Sequence, residues 1–97
     1  RAIDPEVADQ ILYIALLDDD PIIRGQAVYA IGRRGGMDAS IVIDQALADE
    51  VPSVRSMAVD ALAASDEESN ALLRKALEDE NAAVRELAST KLGLVAR

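Results

Sequence analysis

Three arginines recur at near-constant spacing: Arg24, Arg55 and Arg85 lie 31 and 30 residues apart. Each follows an aspartate by six positions, namely Asp18, Asp49 and Asp79. A guanidinium is a planar, permanently charged fork that grips a carboxylate or phosphate through two parallel hydrogen bonds. Two chemistries are therefore open to the column. It could bind an anionic ligand, or each fork could hold the inter-helix aspartate of its own or an adjacent repeat. The residue before each arginine is β-branched (Ile23, Val54, Val84), and the residue three after it is alanine (Ala27, Ala58, Ala88). An arginine that recurs in step with core positions favours the structural role.

A second set of chemically capable residues is acidic. Asp18-Asp19-Asp20, Asp49-Glu50 and Glu78-Asp79-Glu80 fall at the joints between paired helices. They could form a ridge for a basic partner or for calcium. No glycine sits where an EF-hand loop needs its sharp turn. Carboxylates at such joints also cap helix N-termini and complement the helix dipole there, and that reading comes first. General acid–base catalysis needs two carboxylates held in one pocket with separated pKa values, and nothing in the spacing marks such a pair. No phosphate-binding glycine loop, nucleophile elbow or triad is present. The chain contains neither histidine nor cysteine, which removes disulfides, thiol chemistry and the usual zinc ligands. The expectation is no enzyme, no cofactor and no bound metal.

The elements that carry these residues are helices. Asp4-Pro5 reads as a cap and first turn, opening a helix to about Leu17 with Ala8, Ile11, Leu12, Ala15 and Leu16 inward. Asp20-Pro21 opens a second, with Ile23, Ala27, Val28 and Ile31 as its apolar stripe and Gly35 as the left-handed residue that ends it. Asp38 starts a third. Its Ile41-Val42-Ile43 run would also suit a strand, but the register with the flanking repeats decides for helix. Pro52 opens the fourth, where Val51 is a weak cap. Ser65 and Glu68 read as a capping box for the fifth, which runs to about Glu78. Asn81 caps the sixth, whose stripe is Val84, Ala88, Leu92 and Val95. Leu16, Leu47 and Leu77 match across the copies, as do Ile31, Leu62 and Leu92. A fixed period of about thirty residues is the mark of a repeat array.

The pattern Asp-x5-Arg-x2-Ala-x3-Leu in thirty-residue hairpins resembles HEAT-like repeats. It is most similar to the short kind found in bilin lyases and in many bacterial and archaeal proteins. The resemblance covers nearly the whole chain. It implies a right-handed α-solenoid, all-α, of three hairpins and six helices, with the second helix of each pair on the concave side. It also implies that the Asp/Arg pairs tie neighbouring repeats together. The histidine–glutamate motifs of metal-binding enzymes on this scaffold have no counterpart here. The repeats are placed at about residues 4–35, 36–64 and 65–97 of one domain.

Core positions repeat chemically, whereas one face of the second helices does not. That face carries Ile22, Gln26, Tyr29 and Arg33, then Ser53, Met57 and Asp60, then Ala83, Leu87, Thr90 and Leu94. It is read either as a recognition strip or as the ordinary scatter of apolar residues on a surface. On the first reading the partner-binding residues are Gln26, Tyr29, Arg33, Met57, Asp60 and Leu87. Tyr29, Met57 and Leu87 would be anchors with no stacking duty, so a Tyr29→Ala, Met57→Ala double variant should keep its melting temperature.

The net charge of −8 disfavours nucleic acid and anionic membrane as partners. No apolar run approaches the length of a membrane span, and no signal peptide is visible, which leads to the expectation of a cytoplasmic protein. The chain starts at Arg1 and is read as a piece of a longer protein whose targeting signals are cut away. The expected function is a protein-interaction scaffold for a basic or helical partner. The alternative is part of a bilin-lyase-like enzyme handling a tetrapyrrole in the concavity.

Overall fold

Proline and capping residues divide the chain into short helices, and the computed structural model, which describes residues 5–36 and 38–94, contains six of them. They are α1 (Pro5–Ala15), α2 (Pro21–Arg34), α3 (Ala39–Ala46), α4 (Pro52–Asp60), α5 (Glu67–Ala76) and α6 (Ala82–Lys91). No strand occurs among the described residues, so the Ile41-Val42-Ile43 run is helical. Val42 and Ile43 are buried and Ile41 is exposed.

Each helix start has a local cause. Asp20 accepts the N–H of Ile22 ahead of Pro21. Asn81 accepts those of Ala83 and Val84. The fifth helix is capped by Asp66, which accepts the Ser69 N–H at 2.7 Å. Ser65 and Glu68 do not form the expected box, because the chain turns helical one position later, after Asp66 in extended backbone (φ −144°, ψ 170°). Asp38 makes no cap bond. Its Oδ2 instead accepts the Tyr13 hydroxyl at 3.2 Å. At Gly35, φ is +77° and ψ −159°, so the stop uses glycine's freedom at positive φ but not the left-handed helical geometry. The expected cap at Asp4 and the inward Val95 lie outside the described residues.

The helices pair as α1·α2, α3·α4 and α5·α6, and the second helices pack on one another in the order α2, α4, α6. The α2·α4 and α4·α6 contacts are the most extensive in the molecule. The row gives an elongated body of 49 × 28 × 21 Å. Small side chains allow the close approach. A Cβ on Gly32 would meet Ala61 Cβ at 2.6 Å and Ile43 Cδ1 at 2.9 Å, so glycine is required where α2 crosses α3 and α4. Ala58 and Ala88 are fully buried between Val54, Val59, Leu73 and Val84.

Two residues expected in the core are exposed. Ile23 is 38% exposed, whereas its counterparts Val54 and Val84 are 1% and 0%. Ile11 is 53% exposed, whereas its counterpart Val42 is 6%. In both cases the repeat position is the same, and what differs is whether a hairpin precedes it. Among the described residues, no helix is long and apolar enough to cross a membrane.

Candidate functional site

The arginine column is built at the joints. After each first helix the chain makes a short turn whose aspartate folds back on its own backbone. Asp18 accepts the N–H of Asp20, Asp49 that of Val51, and Asp79 that of Asn81, at 2.8–2.9 Å. One turn into each second helix, the arginine reaches back over this joint. Arg24 donates from one terminal nitrogen to the carbonyls of Asp18 and Asp19. Arg55 and Arg85 do the same to Asp49 and Asp79.

The rest of the fork crosses to the next joint. Arg24 donates from Nε and Nη2 to the two carboxylate oxygens of Asp49, at 3.0 and 3.1 Å. Arg55 does likewise to Asp79, at 2.8 and 3.2 Å. Each guanidinium thus holds its own turn through a carbonyl and the following turn through a carboxylate. Arg55 is the one charged residue buried among the described residues, at 5% exposure. Arg85 keeps the carbonyl bond and has no carboxylate partner among the described residues. The structural reading of the column therefore holds for the two arginines that have a following repeat, with the aspartate of that repeat as partner.

Electrostatics follows the same geometry. Burial pushes the Asp49 carboxyl upward in pKa, but the Arg24 fork and the Val51 N–H outweigh it and leave the pKa below its ordinary value. The bond to Asp49 raises the pKa of Arg24, against the smaller opposing effect of desolvation. The remaining acidic residues at the joints are mostly solvent-facing. No group of three carboxylates that could hold a metal ion forms among the described residues.

The strip on the second helices is less uniform than its sequence suggests. Gln26 and Arg33 are exposed on α2. Tyr29 and Leu87 are half-buried and pack against the core cluster. Met57 is half-buried, with its Cγ 3.1 Å from where a Cβ on Gly25 would lie, so it fills the seam between α2 and α4. Asp60 is tied to α6, since Lys91 Nζ donates to its carbonyl at 2.8 Å and pairs with its carboxylate at 3.6 Å. The presumed anchors thus do stacking work. The Tyr29→Ala, Met57→Ala double variant removes core contacts and should not keep its melting temperature. Gln26 and Arg33 are the positions that can be changed without touching the packing. Sequence reasoning missed the Lys91–Asp60 and Lys75–Asp44 links, which also join successive hairpins. The spacing of 31 residues in both pairs was the available signal.

Compared with models of known protein families and with curated proteins, the chain matches none.

Proposed function

We propose that this chain is a protein-interaction module: an α-solenoid of HEAT-like repeats that holds a partner segment against the row of second helices. The observation that supports this reading is the contrast within that row. The arginine forks, their aspartate partners and the small residues of the stripe recur from hairpin to hairpin, as in Arg24/Arg55, Asp49/Asp79 and Ala27/Ala58/Ala88. Positions 26, 57 and 87, two residues after each arginine, are Gln, Met and Leu on helices that pack side by side. A rigid row with variable side chains is the construction by which repeat proteins present extended binding surfaces. The acidic joints along one edge would favour a partner segment with basic residues beside its apolar contacts.

The test is affinity capture from the source organism's extract with the wild-type chain and with a Gln26→Arg, Arg33→Glu double variant, followed by a binding titration of the purified partner. The variant should melt within about 2 °C of wild type, since both side chains are exposed and surface changes shift stability by under about 0.5 kcal/mol. Binding should weaken by more than about tenfold, the loss of a single good interface contact. Full binding by the folded variant would move the interface off this strip. Loss of binding on neutralising Asp19 and Glu50 would place it on the acidic edge.

A further inference from the structure

We propose that the α1 end of the helical row is a docking face for one more helical hairpin of the same repeat kind, bearing an arginine at the place of Arg24, Arg55 and Arg85. The proposal rests on the stacked-repeat reading above and adds which end is open and what fits it.

The first support is a carboxylate held ready and unfilled. At the two interior joints an aspartate bonded to its own backbone receives the arginine of the preceding hairpin. Asp18 makes the same backbone bond, at 2.8 Å to the Asp20 N–H. Its turn is therefore shaped like those of Asp49 and Asp79, yet no cation pairs with it among the described residues. The slot has the geometry of a fork acceptor and lacks only the fork.

The second support is apolar. Val7, Ile11 and Ile14 lie at i, i+4 and i+7 on α1 and are 47–70% exposed. Ile22 and Ile23, at the start of α2, are exposed as well. Two of these have counterparts that are buried as soon as a hairpin precedes them: Ile23 corresponds to Val54 and Val84, and Ile11 to Val42. Ile11, Ile23 and the Asp18 carboxylate thus occupy the positions at which Val42, Val54 and Asp49 form the interior joint, and Val7, Ile14 and Ile22 add exposed apolar surface at the same end of the chain.

The opposite end differs, and this separates the candidate occupants. Val28 and Val59 are buried where α2 and α4 meet the hairpin that follows them. The same position on α6 is Ser89, whose hydroxyl donates to the Leu94 carbonyl at 2.9 Å. Three positions earlier, Gly25 and Ser56 give way to the exposed Glu86. A second copy stacked head to tail would offer Arg85 to Asp18 but would set Glu86 and Ser89 against the isoleucines. Burying a carboxylate against apolar side chains is costly. The face fits a hairpin with an apolar residue at the Val28 position, which the middle hairpin of this chain has in Val59.

That hairpin supplies the probe. A copy of residues 36–64 placed directly ahead of Asp4 keeps a 30-residue spacing between the added arginine and Arg24. The fused chain should melt at least about 5 °C above the 97-residue chain, since a docked repeat adds a nearest-neighbour interface. Asp18→Asn should be neutral in the 97-residue chain and should lower the melting temperature of the fused chain. A fused chain that does not fold, gains no stability, or responds to Asp18→Asn no more than the parent would overturn the proposal. A second variant tests the face without the fusion: Ile11→Lys with Ile14→Lys should leave the helicity and melting temperature of the 97-residue chain unchanged, and unfolding would assign these residues to the core. Sedimentation of the parent at high concentration should show a monomer. A dimer dispersed by both Ile11→Lys and Arg85→Ala would give the face to a second copy instead. If the strip on the second helices binds nothing while the fused chain behaves as expected, the function proposed above fails and the docking face stands.

Discussion

Arg55 and Arg85 occupy the same place in successive repeats, and their surroundings differ by one hairpin. Both bind the carbonyl of their own joint at 2.7 Å. Of the two, among the described residues, Arg55 alone is buried with its fork closed on the carboxylate of a following joint. Ile23 and Val54 make the same comparison from the apolar side, one at 38% exposure and the other at 1%. Membership of the repeat does not by itself bury a residue here; a neighbour on the correct side does. In a linear array each hairpin's stability is its own small contribution plus its interfaces, and a thirty-residue hairpin alone cannot bury enough surface to stand.

The sharpest way to break this comparison is to remove both arginines in turn. Arg55→Ala leaves the Asp79 carboxylate at 9% exposure with the Asn81 N–H but without its arginine, and uncompensated charge at a buried pair costs about 3–5 kcal/mol. Arg85→Ala removes an exposed fork with one carbonyl bond and should cost under about 0.5 kcal/mol. Urea unfolding followed by circular dichroism compares the two. Equal losses would mean that the carbonyl bond, common to both, is the part that matters.

A smaller effect is expected from overfilling the seam between the second helices. Ala58 is 0% exposed and sits in the middle of the row. Ala58→Leu forces three extra carbons into packed space and should destabilise by about 1–3 kcal/mol. Ala88 is likewise 0% exposed, so Ala88→Leu should destabilise by a similar amount, about 1–3 kcal/mol. A chain whose melting temperature ignores Ala58→Leu would show that the hairpins are not in close contact at that point.

The helices were readable from sequence because their signals are local. Prolines at 5, 21 and 52, the caps at Asp20 and Asn81, and the glycines after Arg34 act within one turn. The first-choice structural role of the arginines was readable as well, because it recurs with the core. Two things were not. The capping of the fifth helix turned on a choice between adjacent acceptors, Ser65 and Asp66, that backbone geometry decides and composition does not. The exposure of Ile11 and Ile23 was hidden for the opposite reason. Helical periodicity identifies an apolar face but not whether anything covers it. The same reason hid the burial of part of the strip: an angle on a helical wheel places Tyr29, Met57 and Leu87 outside, while the lateral packing of α2, α4 and α6 leaves all three half-buried.

The smallest effect is a pH dependence, and it probes the outer interior joint, where Arg24 meets Asp49. The Asp49 pKa lies below its ordinary value because the Arg24 fork and a backbone N–H prefer the carboxylate, despite the opposing cost of burial. A group whose folded pKa is depressed adds stability that is fully present above its unfolded pKa. That stability is lost as the pH falls through the lower folded value. The window therefore opens near pH 4, the ordinary range of an aspartate (about 3.9), and extends downward from there. Asp49→Asn keeps the shape and the backbone acceptor but removes the charge. Measured as melting temperature against pH, wild type and Asp49→Asn should differ at neutral pH and converge as the medium is acidified below about 4. Asp18→Asn is the matching control. Its carboxylate has the same backbone bond but no arginine partner among the described residues, so its curve should follow wild type more closely throughout. If Asp18→Asn and Asp49→Asn shift the acid limb equally, the cross-joint fork contributes nothing. The stability of the joints would then lie in the turns themselves, and the difference between interior and end would rest on the apolar contacts alone.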